Sequence, residues 1–225
     1  MKLYFFKELL AKTAAKQLRK PGGLLAGKVG NEMNKTNSFL YDFTISQMQL
    51  KDDESILEIG FGNGKFFNRI FSEAANLKIS GLDFSPEMVK AAAANNAAAV
   101  NNGTLTLQLG SSNKMPFADN SFDKIFCINV VYFWEQPAAH LKEIYRVLKP
   151  GGKSYTSIRT KESLLQMPFA QYGFTAYTKD EWINLLKANQ LNFVHAQETQ
   201  NEPDAVLGKK HYKAASICIA AEKQQ

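Results

Sequence analysis

Residues 56–67 read ILEIGFGNGKFF: an apolar run ends at an acid, Glu58, and three glycines follow at alternate positions, Gly60, Gly62 and Gly64. Glycine costs folding entropy, so a cluster of it indicates an unusual turn or a close approach to the backbone. Nucleotide sites, dinucleotide sites and plain tight turns all share a glycine-rich turn after a strand. The spacing here is not the G-x-G-x-x-G of a pyrophosphate site, and no Lys-Ser/Thr pair follows that would make a phosphate-binding loop.

A second acid, Asp83, ends the next apolar run, nineteen residues beyond Gly64. A carboxylate at the end of a second strand can accept hydrogen bonds from both hydroxyls of a ribose. Ser85 is available to cap the following helix, so capping does not account for Asp83. Glu58 supplies an acid that suits a cationic group on the same ligand. The alternative is that Asp83 only organises its turn and that Glu58 pairs with a basic neighbour.

The elements that position these residues alternate between strand and helix from residue 55 onward. This alternation predicts an α/β fold: a doubly wound, mostly parallel seven-stranded sheet with helices on both faces. The last two predicted strands have no helix between them, so we expect an antiparallel edge strand. The predicted strands are SILEIG, LKISGLD, TLTLQLG, SFDKIFCINVV, residues 153–158, LNFVHAQE and AASICIAAE.

Composition narrows the class of protein. The chain has 225 residues, of which 45% are hydrophobic and 21% charged, as in globular domains. No run of about 18 apolar residues is present, which argues against a spanning helix. Lys7 and Glu8 interrupt the apolar N-terminus, so we expect a cytoplasmic protein and not an exported one. Cys127 and Cys218 lie in apolar runs, which favours buried thiols over a disulfide or a metal site.

The basic charge is concentrated near the N-terminus. The net charge is +6, and residues 1–50 carry eight basic and three acidic side chains. We therefore divide the chain into an N-terminal helical lid, residues 1–50, and a main domain, residues 51–225. The first helix either packs on that domain or contacts a membrane surface, an acidic partner or RNA. Its predicted apolar face contains Leu3, Phe6, Leu10, Ala14 and Leu18, opposite Lys12, Lys16 and Arg19.

Four segments in order carry a resemblance to a known family. ILEIGFGNGKF, GLDFSPEMVKAA, MPFADNSFDKIFCINVVYFW and LKEIYRVLKPGG are similar to the motifs of class I S-adenosylmethionine-dependent methyltransferases. Within that family the chain resembles the type 11 group, which includes the small-molecule methyltransferases of ubiquinone and menaquinone pathways. The resemblance covers residues 55–157 and implies a Rossmann-like fold.

The resemblance also implies roles for individual residues. The glycine loop, with Phe61 inside it, would contact the methionine and ribose of S-adenosylmethionine, and Glu58 would lie near the methionine amino group. Asp83 would hold the ribose hydroxyls, with Phe84 beside the adenine. Where the family often places an acid for the adenine amino group, this chain has Ser111 and Ser112, which are uncharged hydrogen-bond partners. The remaining implied cofactor contacts are Gly60, Gly62, Gly64 and Asn129.

Methyl transfer from a sulfonium is an in-line displacement, so the protein mainly has to align donor and acceptor in a dry site. This agrees with the sequence, in which we find no catalytic triad and no metal-ligand spacing; the catalytic residue stays unassigned. We expect His140 and His195 to be structural or exposed. The acceptor pocket is expected beyond the fourth strand, where the aromatics either line the pocket or pack beneath the next helix. Candidate acceptor contacts are Asn34, Asn37, Tyr41, Tyr132, Phe133 and Trp134.

Three functions stay open at this point. The first is methylation of a small molecule, in a monomer or a homodimer whose product is S-adenosylhomocysteine. The second is methylation of RNA, which the near-neutral main domain disfavours. The third is a non-catalytic protein on the same fold that binds S-adenosylmethionine or serves as a scaffold; the intact Gly60, Gly62, Gly64 and Asp83 favour an enzyme over it.

Overall fold

The structure is a computed structural model that describes residues 2–207 and 210–224; the side chains of residues 2–7, 25 and 207 are outside that description. The helices are α1 Lys2–Arg19, α2 Ala26–Met48, α3 Phe67–Phe71, α4 Pro86–Asn95, α5 Ala97–Asn101, α6 Pro137–Val147, α7 Lys161–Leu165 and α8 Lys179–Ala188. The strands are β1 Ser55–Ile59, β2 Lys78–Asp83, β3 Leu105–Leu109, β4 Phe122–Ile128, β5 Leu148–Arg159, β6 Leu191–Glu198, β7 Ala205–Leu207, β8 Lys210–Tyr212 and β9 Ser216–Lys223.

Seven strands form one sheet in the order β3-β2-β1-β4-β5-β9-β6. The first five pair parallel to their neighbours, and β9 pairs antiparallel with both β5 and β6. The predicted α/β class, with a mostly parallel seven-stranded sheet, is therefore confirmed. The last two long strands do pair antiparallel, and the antiparallel strand β9 lies one position inside the edge because β6 covers its outer side.

β1 lies between β2 on one side and β4 on the other. The order in which successive strands are added to the sheet therefore changes side at β1. In open parallel sheets this switch point leaves a crevice at the carboxyl ends of the strands. The loops after β1, β2, β3 and β4 all reach that edge. The fold thus brings the glycine segment and Asp83 to one place.

Buried side chains cover both faces of the sheet. One cluster includes Leu141 of α6 and Trp182 of α8, and the other includes Leu40 of α2 and Phe67 of α3. Both cysteines, in β4 and β9, are buried with free thiols, as the apolar runs predict. A doubly covered sheet explains why the central strands β1 and β4 are buried along almost their whole length.

The predicted Ser85 cap is confirmed, and a second cap begins α8. Ser85 accepts a hydrogen bond from the Met88 N–H with Pro86 in the first turn of α4, and Thr178 with Glu181 forms the capping box of α8. The predicted fifth strand was too short: β5 begins at Leu148 and runs through Pro150. A register shift in the pairing of β4 with β5 accommodates the proline, which has no N–H to donate.

The N-terminal segment forms two long helices, and Ala26 and Gly30 in the first turns of α2 are buried against the domain. On α1, Ala15 is buried, Leu18 is half-buried and Leu10 is exposed, while the side chains of Leu3 and Phe6 are outside the described parts. The division at residue 50 stays a prediction. Among the described residues, no helix combines the length and the apolar character that a membrane crossing needs.

Candidate functional site

A cavity of about 380 Å³ lies at the switch point, between the sheet edge and the first two helices. This volume is near the lower end of the range for pockets that hold small molecules. The segments after β1, β2, β3 and β4 line the cavity together with residues of α1 and α2. Of the predicted site residues, those lining the cavity are Asn34, Asn37, Tyr41, Gly60, Phe61, Gly62, Asp83, Phe84, Ser111, Ser112, Asn129, Phe133 and Trp134.

The glycine loop adopts a conformation that requires glycine. Gly60, Gly62 and Gly64 all have positive φ, of 77°, 57° and 68°. A Cβ on Gly60 would lie 2.4 Å from the Val130 side chain, and one on Gly64 would lie 2.8 Å from Ala92. A Cβ on Gly62 would meet nothing within 4 Å. The first and third glycines therefore permit packing, whereas the middle glycine leaves its backbone open to the cavity.

Asp83 is fixed by the loop it faces. The Gly62 N–H donates to its Oδ2 at 3.0 Å, and the Ser85 N–H donates to its Oδ1 at 2.9 Å. Burial raises the pKa of Asp83 to about 6, against the opposing effect of these backbone donors. Asp83 lines the cavity, and each of its oxygens has capacity for a second hydrogen bond, which is what two vicinal hydroxyls need.

Glu58 lies behind the cavity wall, fully enclosed, with its carboxyl accepting a hydrogen bond from the Tyr41 hydroxyl. Tyr41 comes from α2 and stacks on Phe66 with ring centroids 4.1 Å apart. Burial, with a smaller contribution from the nearby Asp83 charge, raises the pKa of Glu58 to about 8, against the opposing effect of the Tyr41 hydrogen bond. The site therefore holds two acids whose ionisation a cationic ligand would favour.

Asn129, directly after β4, joins the sheet to the helical wall. Its φ is 57°, its Nδ2 donates to Asn37 Oδ1 at 3.1 Å, and its Oδ1 accepts from the Tyr132 hydroxyl at 3.0 Å. Tyr132 is buried and its hydroxyl also accepts from the Arg159 backbone N–H. Of the two predicted roles for the aromatics after β4, packing applies to Tyr132, which lies outside the cavity lining. Phe133 lines the cavity. Two other predicted site residues, Gly64 and Glu58, also lie outside the cavity lining.

The link between α1 and α2 crosses the cavity mouth, and we name residues 19–22 the strap. Arg19 Nη2 lies 2.8 Å from Glu135 Oε1 on the opposite rim. The Ser85 hydroxyl donates to the Pro21 carbonyl at 2.7 Å, and Lys20 Nζ lies 5.4 Å from the centroid of the Phe84 ring. The strap therefore contacts both the β2 loop and the β4 loop.

Several lining residues were not predicted. Met33 and Arg19 lie in the N-terminal helices, where sequence pattern gives no register against the sheet. His140 was predicted to be structural or exposed; it is buried, lines the cavity and bonds to Ser112. His140 lies on the buried face of α6 at the spacing of a core residue, so no pattern in the sequence distinguishes it. Within the described residues, no group of three or more His, Cys, Asp or Glu side chains is arranged to hold a metal ion.

Comparison with known proteins agrees with this geometry. A family model described as a methyltransferase domain matches residues 57–156. An uncharacterized methyltransferase of Bacillus subtilis, YdaC, is 31% identical over 140 residues, which are 62% of this chain and 74% of that protein. The ubiquinone/menaquinone biosynthesis C-methyltransferase UbiE of Geotalea daltonii is 32% identical over 127 residues, 54% of each chain.

Solved structures show the same fold at low sequence identity. A methyltransferase solved in complex with the Haloferax volcanii Trm112 methyltransferase activator aligns with a TM-score of 0.77 and 18% identity, over 89% of this chain and 96% of that one. A sheet of this order with a glycine loop after β1 and an acid after β2 defines a Rossmann-like methyltransferase fold. The chain belongs to the class I S-adenosylmethionine-dependent methyltransferase family, as its four motifs predict.

Proposed function

We propose that the protein transfers a methyl group from S-adenosylmethionine to a small-molecule acceptor. The observation that carries this proposal is the position of Asp83, buried beside the open backbone of Gly62 at the edge of the cavity. The two carboxylate oxygens are available to two ribose hydroxyls, and the two buried acids suit the positive charge of a sulfonium and an ammonium group.

The glycine loop also fits this cofactor. Gly62 has open space where a Cβ would stand, so a ligand can lie directly against the backbone there. Phe84 is partly exposed beside Asp83, where it can cover the face of a flat base. Asp83, Gly60 and Gly62 would hold the ribose and methionine parts, and Ser111 and Ser112 would lie at the base.

When bound, S-adenosylmethionine supplies a methyl group activated by the positive sulfur. The protein's contribution is to bind, orient and exclude water. Asn37 and Asn129 form a hydrogen-bonded pair that reaches from the lid helix to the sheet edge, and their remaining polar atoms can orient an acceptor. The strap and Phe133 restrict access of water to the same space.

The lining favours a small and uncharged acceptor. On the acceptor side, amides of Asn34, Asn37 and Asn129 alternate with apolar groups such as Met33 and Phe133. Arg19 and Glu135, at the mouth, neutralise each other. A bulky or strongly charged acceptor would have to separate this pair and displace the strap, so the geometry supports a compact neutral molecule.

The decisive experiment is methyl transfer with purified protein, radiolabelled S-adenosylmethionine and two acceptor pools, a fractionated cell metabolite extract and total RNA. We expect label in a small-molecule fraction. Label in RNA alone would show that the protein is a methyltransferase whose acceptor is RNA and not a small molecule. Cofactor binding by calorimetry without transfer to either pool would support a non-catalytic or different reaction, a relevant outcome because a [4+2]-cyclase, SpnF, shares this fold with a TM-score of 0.67.

Two alanine substitutions in the glycine loop are expected to have different effects, one mainly on ligand binding and the other mainly on stability. Gly62→Ala meets open space, so it should cost only the left-handed backbone strain of about 1–2 kcal/mol, yet weaken S-adenosylhomocysteine binding at least about tenfold. Gly60→Ala drives a methyl group into Val130 and should lower the melting temperature far more. Thermal unfolding and calorimetry of both variants check this; a Gly62→Ala variant with native affinity would contradict the close backbone approach.

The strap predicts a kinetic effect. The Arg19–Glu135 pair is exposed, so Arg19→Gln should leave the melting temperature almost unchanged. Because the pair closes the cavity mouth, we expect the variant to release S-adenosylhomocysteine several-fold faster in stopped-flow fluorescence. The matched control is Lys35→Gln, which removes another exposed ion pair on α2. Equal release rates in all three proteins would show that the strap does not limit exit.

A further inference from the structure

Three side chains form a buried cluster on the β3 side of the cavity. Ser112 Oγ lies 2.7 Å from His140 Nδ1, and the imidazole stacks on Trp134 with ring centroids 4.4 Å apart and an interplanar angle of 6°. Trp134 in turn packs against Trp182 of the core. The ring of His140 is therefore held on one face by stacking and at one nitrogen by a hydrogen bond.

The other nitrogen of this ring is available to a ligand. His140 lines the cavity, and within the described part of the chain no hydrogen bond reaches its Nε2. That atom is also not sealed in the protein interior, since it is not among the buried polar atoms without a partner. Burial lowers the pKa of His140 to about 4, so the ring is neutral at physiological pH. When the Nδ1–H donates to Ser112, Nε2 is a hydrogen-bond acceptor.

The position of this acceptor in the cavity indicates what it meets. This step rests on the proposed function. If the ribose hydroxyls bind Asp83, the attached base would lie between Phe84 and the loop after β3, since Phe84, Ser111 and Ser112 line the same cavity. This loop carries no carboxylate next to the cavity, so the exocyclic amino group of an adenine has no anionic partner on it.

We propose that His140 accepts a hydrogen bond from the 6-amino group of adenine through Nε2, with Ser112 as the positioning residue that fixes the ring and its tautomer. The neutral pair of Ser112 and His140 then binds the amino group of the base, without a carboxylate. Trp134 fixes the orientation of the imidazole ring by stacking on it. His140 is in this sense a specificity residue for the cofactor.

The test is a cycle that pairs a protein change with a ligand change. Wild-type protein and His140→Phe are titrated calorimetrically with S-adenosylhomocysteine and with its analogue that carries unsubstituted purine in place of adenine. Phenylalanine preserves the stack on Trp134 and removes both ring nitrogens. Wild type should bind the purine analogue about tenfold more weakly than S-adenosylhomocysteine, whereas His140→Phe should bind both ligands with the weaker affinity, since one hydrogen bond is worth about that factor.

His211→Phe, at an exposed position in β8, is the matched control and should discriminate the two ligands like wild type. Ser112→Ala gives a second measurement that does not require His140 to be replaced. Nitrogen-15 NMR of the imidazole should show a protonated Nδ1 and an acceptor Nε2 in the wild-type complex, and a mixture of tautomers in Ser112→Ala.

Equal binding of the two ligands by wild type, or the same ligand discrimination in His140→Phe, would overturn this inference and leave the proposed function intact. An Nε2-protonated ring in the wild-type complex would also overturn it. Failure of wild type to bind S-adenosylhomocysteine at all would instead refute the proposed function on which the inference rests. The two failures are thus distinguishable in the same titration.

Discussion

Asp83→Asn is expected to weaken S-adenosylmethionine binding by at least about a hundredfold, equivalent to about 2.7 kcal/mol. The carboxylate accepts backbone N–H groups from Gly62 and Ser85 and offers its remaining lone pairs to the ligand. Asparagine replaces one of these acceptors by a donor, which opposes the backbone N–H that faces it, and it removes the negative charge from the acceptor of the ribose hydroxyls. Charge-assisted hydrogen bonds of this kind contribute more than neutral ones. Calorimetry measures the loss.

The same residue predicts a pH dependence. Burial raises the pKa of Asp83 to about 6, so the free protein protonates it below that pH and loses the acceptor that the ribose needs. Protonation of Asp83 should therefore lower the affinity by about a further tenfold per pH unit below 6, in addition to the change that protonation of Glu58 causes at higher pH. Asp204→Asn, at an exposed position, is the control and should bind normally. Native affinity in Asp83→Asn, with an unchanged melting temperature, would refute the assignment of the ribose to this carboxylate.

Glu58→Gln is expected to change the response of folding stability to pH. Burial raises the folded-state pKa of Glu58 from 4.5 to about 8, so the folded protein holds a proton that the unfolded chain releases earlier. The stability that this proton provides is complete below 4.5 and is lost as the pH rises through 8, at up to about 1.4 kcal/mol per pH unit. Glutamine keeps the acceptor for Tyr41 and has no proton to lose.

Denaturant unfolding of the ligand-free protein between pH 5 and pH 9 tests this expectation. Wild type should lose stability across that range, and Glu58→Gln should lose clearly less and be the more stable protein at pH 9. Binding gives a second readout: a cationic cofactor favours ionised Glu58, so wild type should release a proton on binding near pH 7 and the variant should not. Glu73→Gln, on the surface, should behave like wild type in both measurements.

The sequence predicted the parts of this protein that local chemistry determines. Glycines with positive φ, the acid at the end of β2 and the Ser85 cap depend on nearby backbone, and all occur where the pattern placed them. The alternation of strands and helices gave the sheet because crossover connections have one hand. The site residues at the ends of β1, β2 and β4 follow from that topology.

The parts that were missed depend on contacts between distant segments. The hydrogen bond of Asn37 to Asn129 joins α2 to β4, and no periodicity in either segment specifies it. His140 lies on an amphipathic helix, where a buried histidine has the same spacing as any core residue. The short hairpin of β7 and β8 lies in a polar segment with few of the residues that predict strands. Each of these features is set by packing across the fold.

The place of β9 in the sheet has a consequence for synthesis of the chain. This strand is among the last segments of the described chain, yet it lies between β5 and β6 and its residues from Ile217 to Ala221 are fully enclosed. Until it leaves the ribosome, both of its neighbours expose unpaired edges. A truncation that removes β9 would remove an interior strand of the sheet. It would leave one edge of β5 and one edge of β6 unpaired, and exposed strand edges promote aggregation.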